Sequence, residues 1–144
     1  KLAEGDLQAP EGFYAVSKRS LNPQSRYHLA FNIGYPNAYD RAHQRTGSAI
    51  MVHGSNVSIG CFAMTNEKIE EIYTLCDSAL SNGQPFFRVH SFPFRLTDEK
   101  LATVNTQKWH AFWKELQAGY LHFEQHRRPP NVTMGAGRYG FEKE

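Results

Sequence analysis

The sequence predicts an α+β fold, with a mainly antiparallel sheet and helices packed to one side. Short segments with strand character fill most of the first half. The longest helical patterns follow them instead of alternating with them in βαβ units. The 144 residues are 40% hydrophobic and 13% aromatic, enough for a domain with a real core and unlike a disordered chain.

In chain order, "GDLQAPEGFYAV" (Gly5 to Val16) reads as a turn in which Pro10 and Gly12 lead into a short strand. In "SRYHLAFNIGYPN" (Ser25 to Asn37), Tyr27, Leu29 and Phe31 alternate with His28, Ala30 and Asn32, the period of two that marks a strand. The polar stretch from Gly34 to Gly47 reads as a loop, long for a compact domain and therefore a place to look for function. "SAIMVHG" is a buried strand that delivers His53 at its end. The strongest helix follows. Thr65 or Asn66 caps it, Glu67 sits near the positive end of its dipole, and Ile69, Ile72, Tyr73, Cys76, Ala79 and Leu80 recur at helical spacing. Gly83 is its terminator. "PFFRVHSFPF" is strand-like and "TDEKLATVN" a short helix. Trp109, Phe112, Trp113 and Leu116 line one face of a second long helix running toward Phe123. The glycine-rich end from Pro129 reads as loosely ordered.

Composition narrows the function. A net charge of +2 without a basic stripe of interleaved aromatics gives no reason to expect nucleic acid. No apolar run approaches the roughly 18 residues that span a bilayer. No signal peptide is recognisable, and a chain starting at Lys1 reads as a mature or trimmed form. Two cysteines are too few for a disulfide scaffold, and Cys76 is expected to face the core from mid-helix. The chain has no C-x-x-C pair, H-E-x-x-H helix or phosphate-cradling G-x-x-x-x-G-K, and no cofactor or metal is expected. His28, His43 and His90 are scattered and read as surface or packing residues.

The stretch "MVHGSNVSIGCFAMTN" (Met51 to Asn66) carries the chemistry. It places His53-Gly54 and Gly60-Cys61 at opposite ends of one small loop. A cysteine reacts as its thiolate and needs a base or positive surroundings. His53 is the candidate base, and the Gly54 carbonyl can fix its tautomer. Amides around Gly60 and Cys61 can face the oxygen of a tetrahedral intermediate. Spacing alone fits equally well a loop cysteine beside a strand-end histidine with no chemistry between them.

These motifs resemble a known family. "HG" followed by "S-x-G-C", then "M-T" and a helix, resembles the L,D-transpeptidase catalytic domain, or YkuD domain. "APEGFYAV" is similar to that family's early "P-x-G-x-F/Y" motif. "GYPNAYDRAHQRTGSAIMVHG…VSIGCFAMT" is most similar to its YafK-like branch. The resemblance runs from Gly5 to about Phe94 and fades into the tryptophan-bearing helix. It implies a β-rich, sandwich-like catalytic domain over residues 1–104, with a helix after the catalytic loop. Residues 105–144 would form a C-terminal helical extension and tail on the same domain. The strands that normally precede "P-x-G" are expected to be missing.

The resemblance also implies an activity. Cys61 would attack the meso-diaminopimelate carbonyl of peptidoglycan stem peptides and form a thioester, with His53 as base and Gly54 as the acceptor orienting it. Ser58 and Gly60 would shape the loop and the oxyanion site. Hydrolytic release of a wall-attached lipoprotein is slightly favoured over cross-linking, and a periplasmic place in the bacterial cell envelope goes with that substrate. The usual family pattern is "S-H-G-C-I/V-R"; here Ile59 replaces the second histidine and Ala63 the arginine, as in the YafK-like branch. Arg41 and Arg45, with Tyr39, are candidate substitutes for the lost carboxylate clamp. The alternative is that these arginines pair with Asp40 or cover the surface. Against the enzyme reading stand a non-catalytic peptidoglycan-binding module on the same fold and a general cysteine peptidase with a remote third member.

Overall fold

A four-stranded sheet frames the candidate site in the computed structural model, which describes residues 1–142. Its strands are β2 (Leu21–Ser25), β3 (His28–Asn32), β4 (Met51–His53) and β5 (Phe62–Ala63), in that spatial order. The β2/β3 and β3/β4 pairs are antiparallel and the β4/β5 pair is parallel. A second, two-stranded sheet joins β1 (Gly12–Val16) to β6 (Phe87–Ser91). Helix α2 (Asn66–Ser81) packs on β3 and β4. Phe31, Ile33, Ile50 and Val52 meet Val16 from β1 and Ile69 from α2 in one buried cluster, and Ile72 and Cys76 pack against it.

Local chemistry explains the elements. Thr65 caps α2, its hydroxyl accepting from the Lys68 amide at 3.4 Å, and Glu67 lies in the first turn. Asn82 caps the other end, and Gly83 follows with φ +96°, the left-handed turn that glycine permits. Strand β2 was not foreseen, because Pro23 lies inside "LNPQS". Proline is tolerated there because β2 is an edge strand, and its pairing with β3 is irregular between Asn22 and Ser25.

The Gly34 to Gly47 stretch contains a short helix, α1 (Ala38–Ala42), started by a capping box between Asn37 and Asp40. Asp40 is fully buried. Its carboxylate accepts from Tyr14 Oη at 3.0 Å, Asn37 N at 3.0 Å and Arg45 Nη1 at 2.9 Å.

The chain divides into two units, Lys1–His90 and Ser91–Glu144. The division comes earlier than the expected 104/105 boundary, and the short helix α3 (Asp98–Thr103) belongs to the second unit. That unit also holds α4 (His110–His126), whose buried Gln117 donates from Nε2 to Leu96 O at 3.2 Å and Asp98 Oδ1 at 2.8 Å. The Trp113 ring meets Phe94 edge-on at 5.1 Å.

One expectation is corrected here. The stretch after Pro129 is an antiparallel hairpin, β7 (Asn131–Gly135) with β8 (Arg138–Glu142), paired from Asn131↔Glu142 to Gly135↔Arg138. Val132 and Met134 supply the alternation, and Ala136-Gly137, at φ 49° and 74°, form the positive-φ turn that suits a two-residue hairpin. Residues 143 and 144 of the expected tail lie outside the described residues.

The buried Asp40–Arg45 pair makes the first prediction. Replacing Arg45 by Met leaves a buried carboxylate without its cation, which costs about 3–5 kcal/mol of unfolding free energy by urea titration.

Candidate active site

Strand β4 sets the site. Ala30 of β3 lies opposite His53, and Ala63 of β5 lies beside it on the other flank. The Gly54 amide continues the ladder by donating to Leu29 O at 3.1 Å. His53 is 3% exposed. Its Nδ1 is 2.5 Å from the Gly54 carbonyl. A carbonyl only accepts, so Nδ1 carries the proton and Nε2 is left as the basic nitrogen. Nε2 makes no hydrogen bond among the described residues.

Cys61 stands just ahead of β5, alongside the start of β4. Its sulfur accepts from the Met51 amide at 3.4 Å and donates to Ala49 O at 3.7 Å. The fold thus carries both ends of the loop onto neighbouring parallel strands. In this resting arrangement the thiol hydrogen points to Ala49 O and not to His53.

Hydrogen bonds stitch the loop between them. Ser58 Oγ donates to Cys61 O at 2.7 Å and accepts from Gly60 N at 3.1 Å. The Gly60 amide is therefore occupied within the loop, which leaves the Cys61 amide as the candidate oxyanion donor of the two. Ser55 N donates to Asn66 Oδ1 at 2.8 Å, Thr65 N to Ser55 O at 2.9 Å and Met64 N to His53 O at 2.8 Å. Three non-glycine residues around the loop have positive φ: Ala49 at 54°, Ser55 at 64° and Thr65 at 64°. Such conformations cost on the order of 1–3 kcal/mol each and persist where surrounding bonds hold them.

The glycines have separate reasons. Gly60 has φ +127°, and a Cβ there would sit 3.2 Å from Gln8 O. At Gly54 a Cβ would lie 2.6 Å from Tyr27 O and 2.7 Å from Asn66 Oδ1. No side chain fits there without moving backbone.

The clamp candidates separate. Arg45 and Tyr39 are buried, the guanidinium lying 5.1 Å from the Tyr39 ring centre and paired to Asp40. The buried carboxylate draws Arg45 inward and commits both residues to the interior. Arg41 stays exposed, its Nη1 donating to the Pro36 carbonyl.

Sequence reasoning missed Tyr27 as a site residue. It lies in the turn between β2 and β3, and its ring centre is 4.8 Å from that of His53. Reading it as one member of a strand alternation gave no hint of this. The other histidines of this unit are engaged elsewhere. His28 Nε2 meets Glu70 Oε1 at 2.7 Å, His43 stacks on Tyr39 at 4.2 Å, and His90 lies edge-on to Phe13 at 4.9 Å. Burial, helped by Arg88, pushes the His90 pKa down to about 4. Burial pushes the Cys76 thiol up, away from the reactive thiolate form. No metal-holding group of three or more His, Cys, Asp or Glu occurs among the described residues.

The family model for the L,D-transpeptidase catalytic domain, YkuD, matches residues 2–90. The chain belongs to this family. Two relatives named "Putative L,D-transpeptidase YafK", from Escherichia coli K12 and O157:H7, are each 48% identical over 143 residues. The match takes in 99% of this chain and 58% of each relative, so the chain spans less than two thirds of the relatives' length. Among solved structures, the helical cell shape determining protein Pgp2 from Campylobacter jejuni aligns with a TM-score of 0.50 at 20% identity, over 94% of this chain and 59% of Pgp2. Its K307A mutant aligns with a TM-score of 0.50 at 24% identity, over 85% of this chain and 42% of the mutant. These two likenesses concern the fold alone. The loop from His53 to Cys61 lies within the matched residues.

Two predictions follow from this geometry. Gly54→Ala forces a methyl group against the Tyr27 carbonyl and costs about 1–3 kcal/mol. The Cys61 alkylation rate should fall with it, which calorimetry and labelling with iodoacetamide check together. His90 makes stability depend on pH. The unfolded imidazole titrates near 6.5 and the folded one near 4, so between these values the unfolded chain binds more protons. Unfolding free energy should therefore fall as pH drops from about 6.5 toward about 4, and His90→Phe should flatten that part of the curve.

Proposed function

We propose that this chain is a cysteine acyl-transfer enzyme of the bacterial cell wall, with Cys61 as nucleophile and His53 as base. The observation that carries the reading is the Nδ1 contact of His53 with Gly54 O, which leaves Nε2 as the basic nitrogen one strand away from the thiol. Membership of a family that acts on peptidoglycan supports the substrate class.

The chemistry runs in two halves. The Cys61 thiol gives its proton to His53 Nε2 as sulfur bonds to the meso-diaminopimelate carbonyl carbon of a stem peptide. The Cys61 amide faces the developing oxyanion. The C–N bond to the leaving amine breaks as that nitrogen takes the proton from His53, and a thioester remains. Water then attacks the thioester, His53 receives its proton, and the C–S bond breaks to regenerate the thiol. An amine in place of water would form a cross-link instead. Resemblance to the YafK-like branch favours water, with release of a wall-attached lipoprotein as the outcome. A periplasmic location follows from that substrate. Arg41 is the remaining candidate of the proposed carboxylate-binding set. Among the described residues, no helix is long and apolar enough to cross a membrane.

The test is incubation with peptidoglycan fragments bearing a diaminopimelate-linked lipoprotein peptide, read by mass spectrometry. Released peptide supports hydrolysis, and new cross-links support transpeptidation. An unchanged substrate that still binds supports a non-catalytic module. Cys61→Ala should abolish turnover with little loss of stability. His53→Gln should keep the fold and slow acylation about 100- to 10,000-fold. Arg41→Gln should weaken substrate capture by about 1.5–3 kcal/mol while leaving the thiol as reactive toward iodoacetamide as before.

A further inference from the structure

We propose that Tyr27 is a positioning residue for the base, its ring backing the His53 imidazole and holding it in one orientation. The inference rests on the reading of His53 as the base that activates Cys61. The two ring centres are 4.8 Å apart with planes inclined by 36°. His53 is 3% exposed, whereas Tyr27 is 43% exposed. A tyrosine at the surface thus lies against an imidazole that is almost closed off from water.

His53 needs such a support. Its one side-chain hydrogen bond among the described residues, to the carbonyl of the next residue, fixes one edge of the ring and does not by itself fix the ring's tilt. A second ring against its face removes that freedom, and aromatic pairs are directional enough to hold an angle. The support is itself held. Tyr27 N donates to Ser25 Oγ at 3.1 Å, closing the turn. The Tyr27 carbonyl packs on Gly54 so tightly that a Cβ there would come within 2.6 Å. The adjacent His28 is tied to Glu70 of α2 at 2.7 Å. The hairpin tip is therefore braced against the same helix that braces the catalytic loop. The Tyr27 hydroxyl makes no hydrogen bond among the described residues, so the ring and not the hydroxyl carries the role.

The test measures iodoacetamide alkylation of Cys61 by peptide mass spectrometry, together with kcat and KM on the stem-peptide substrate. The variants are Tyr27→Phe, Tyr27→Leu, Tyr27→Ala, His53→Gln and the Tyr27→Ala/His53→Gln double, with melting temperature recorded for each. Tyr27→Phe should match the parent. Tyr27→Leu and Tyr27→Ala should slow both alkylation and kcat about tenfold with KM within about twofold, the cost of a loosened catalytic group. In the His53→Gln background, Tyr27→Ala should have no further effect, because it acts through a base that is no longer there. Unchanged rates in both Tyr27→Leu and Tyr27→Ala would overturn the assignment, as would an equal further loss in the His53→Gln background. If His53→Gln itself left alkylation unchanged, the base reading would fall and this role with it. If His53→Gln slowed alkylation and the Tyr27 variants did not, only the Tyr27 role would fall.

Discussion

The site depends on the absence of one side chain. Gly54 donates its amide to β3, offers its carbonyl to His53, and lets the Tyr27 carbonyl and the Asn66 side chain come closer than any Cβ would allow. Four separate pieces of chain meet at that residue: the tip of the β2–β3 hairpin, the end of β4, the catalytic loop and the start of α2. The imidazole tautomer and the approach of the hairpin to the base are both set there. A methyl group would separate them together, which is why the glycine matters here for close packing and not for an unusual φ.

The loop around Cys61 is held by bonds and strained in backbone at the same time. Ala49, Ser55 and Thr65 take positive φ without being glycine, and each is linked to the site by a hydrogen bond. Ala49 O accepts from the thiol, Ser55 N reaches Asn66, and Thr65 N reaches Ser55. Thr65 also begins α2, so the helix and the loop share their first constraint. The two cysteines show what this achieves. Cys76 packs against the core, where burial disfavours its thiolate. Cys61 sits on the loop, with the Met51 N–H directed at its sulfur.

Where periodicity was strong, the sequence was legible. Strands β1, β3, β4 and β6 and helices α2, α3 and α4 fall where alternation, helical spacing and caps put them, because burial rewards those patterns directly. The elements that escaped notice lack such a pattern or hide it. Strand β2 contains Pro23 and exists because it is an edge, and β5 is two residues long and is defined only by its partner β4. Helix α1 shows itself through the Asn37–Asp40 capping box more than through apolar spacing. The final hairpin looked loose because its turn is rich in glycine, yet that glycine is what lets it close. In the candidate site, His53, Gly54 and Cys61 could be singled out because the chemistry proposed for them has a spacing. Tyr27 was not, since its relation to His53 arises from a hairpin folding back over the end of another strand. The burial of Arg45 was also out of reach, because local sequence does not reveal that Asp40 lies inside the fold.

The resting geometry bears on how selectivity arises. The thiol donates to Ala49 O while His53 Nε2 makes no hydrogen bond among the described residues, so the proposed nucleophile and base are not hydrogen-bonded to each other. Catalytic hydrogen bonds often tighten only in the bound complex, and in the proposed reaction the Cys61 thiol has to leave Ala49 O before it can give its proton to His53. The residues at the two family departures add no charge to this step. Ile59 is 80% exposed on the loop and Ala63 flanks His53 on β5. With Arg45 held inward by Asp40, Arg41 is the clamp candidate left at the surface. In the proposed mechanism, positioning of the base rests on packing, from Gly54 and Tyr27. In the same proposal, recognition of the substrate falls to exposed cations such as Arg41. On that proposal the two tasks fall to different residues, and a variant should weaken one without touching the other.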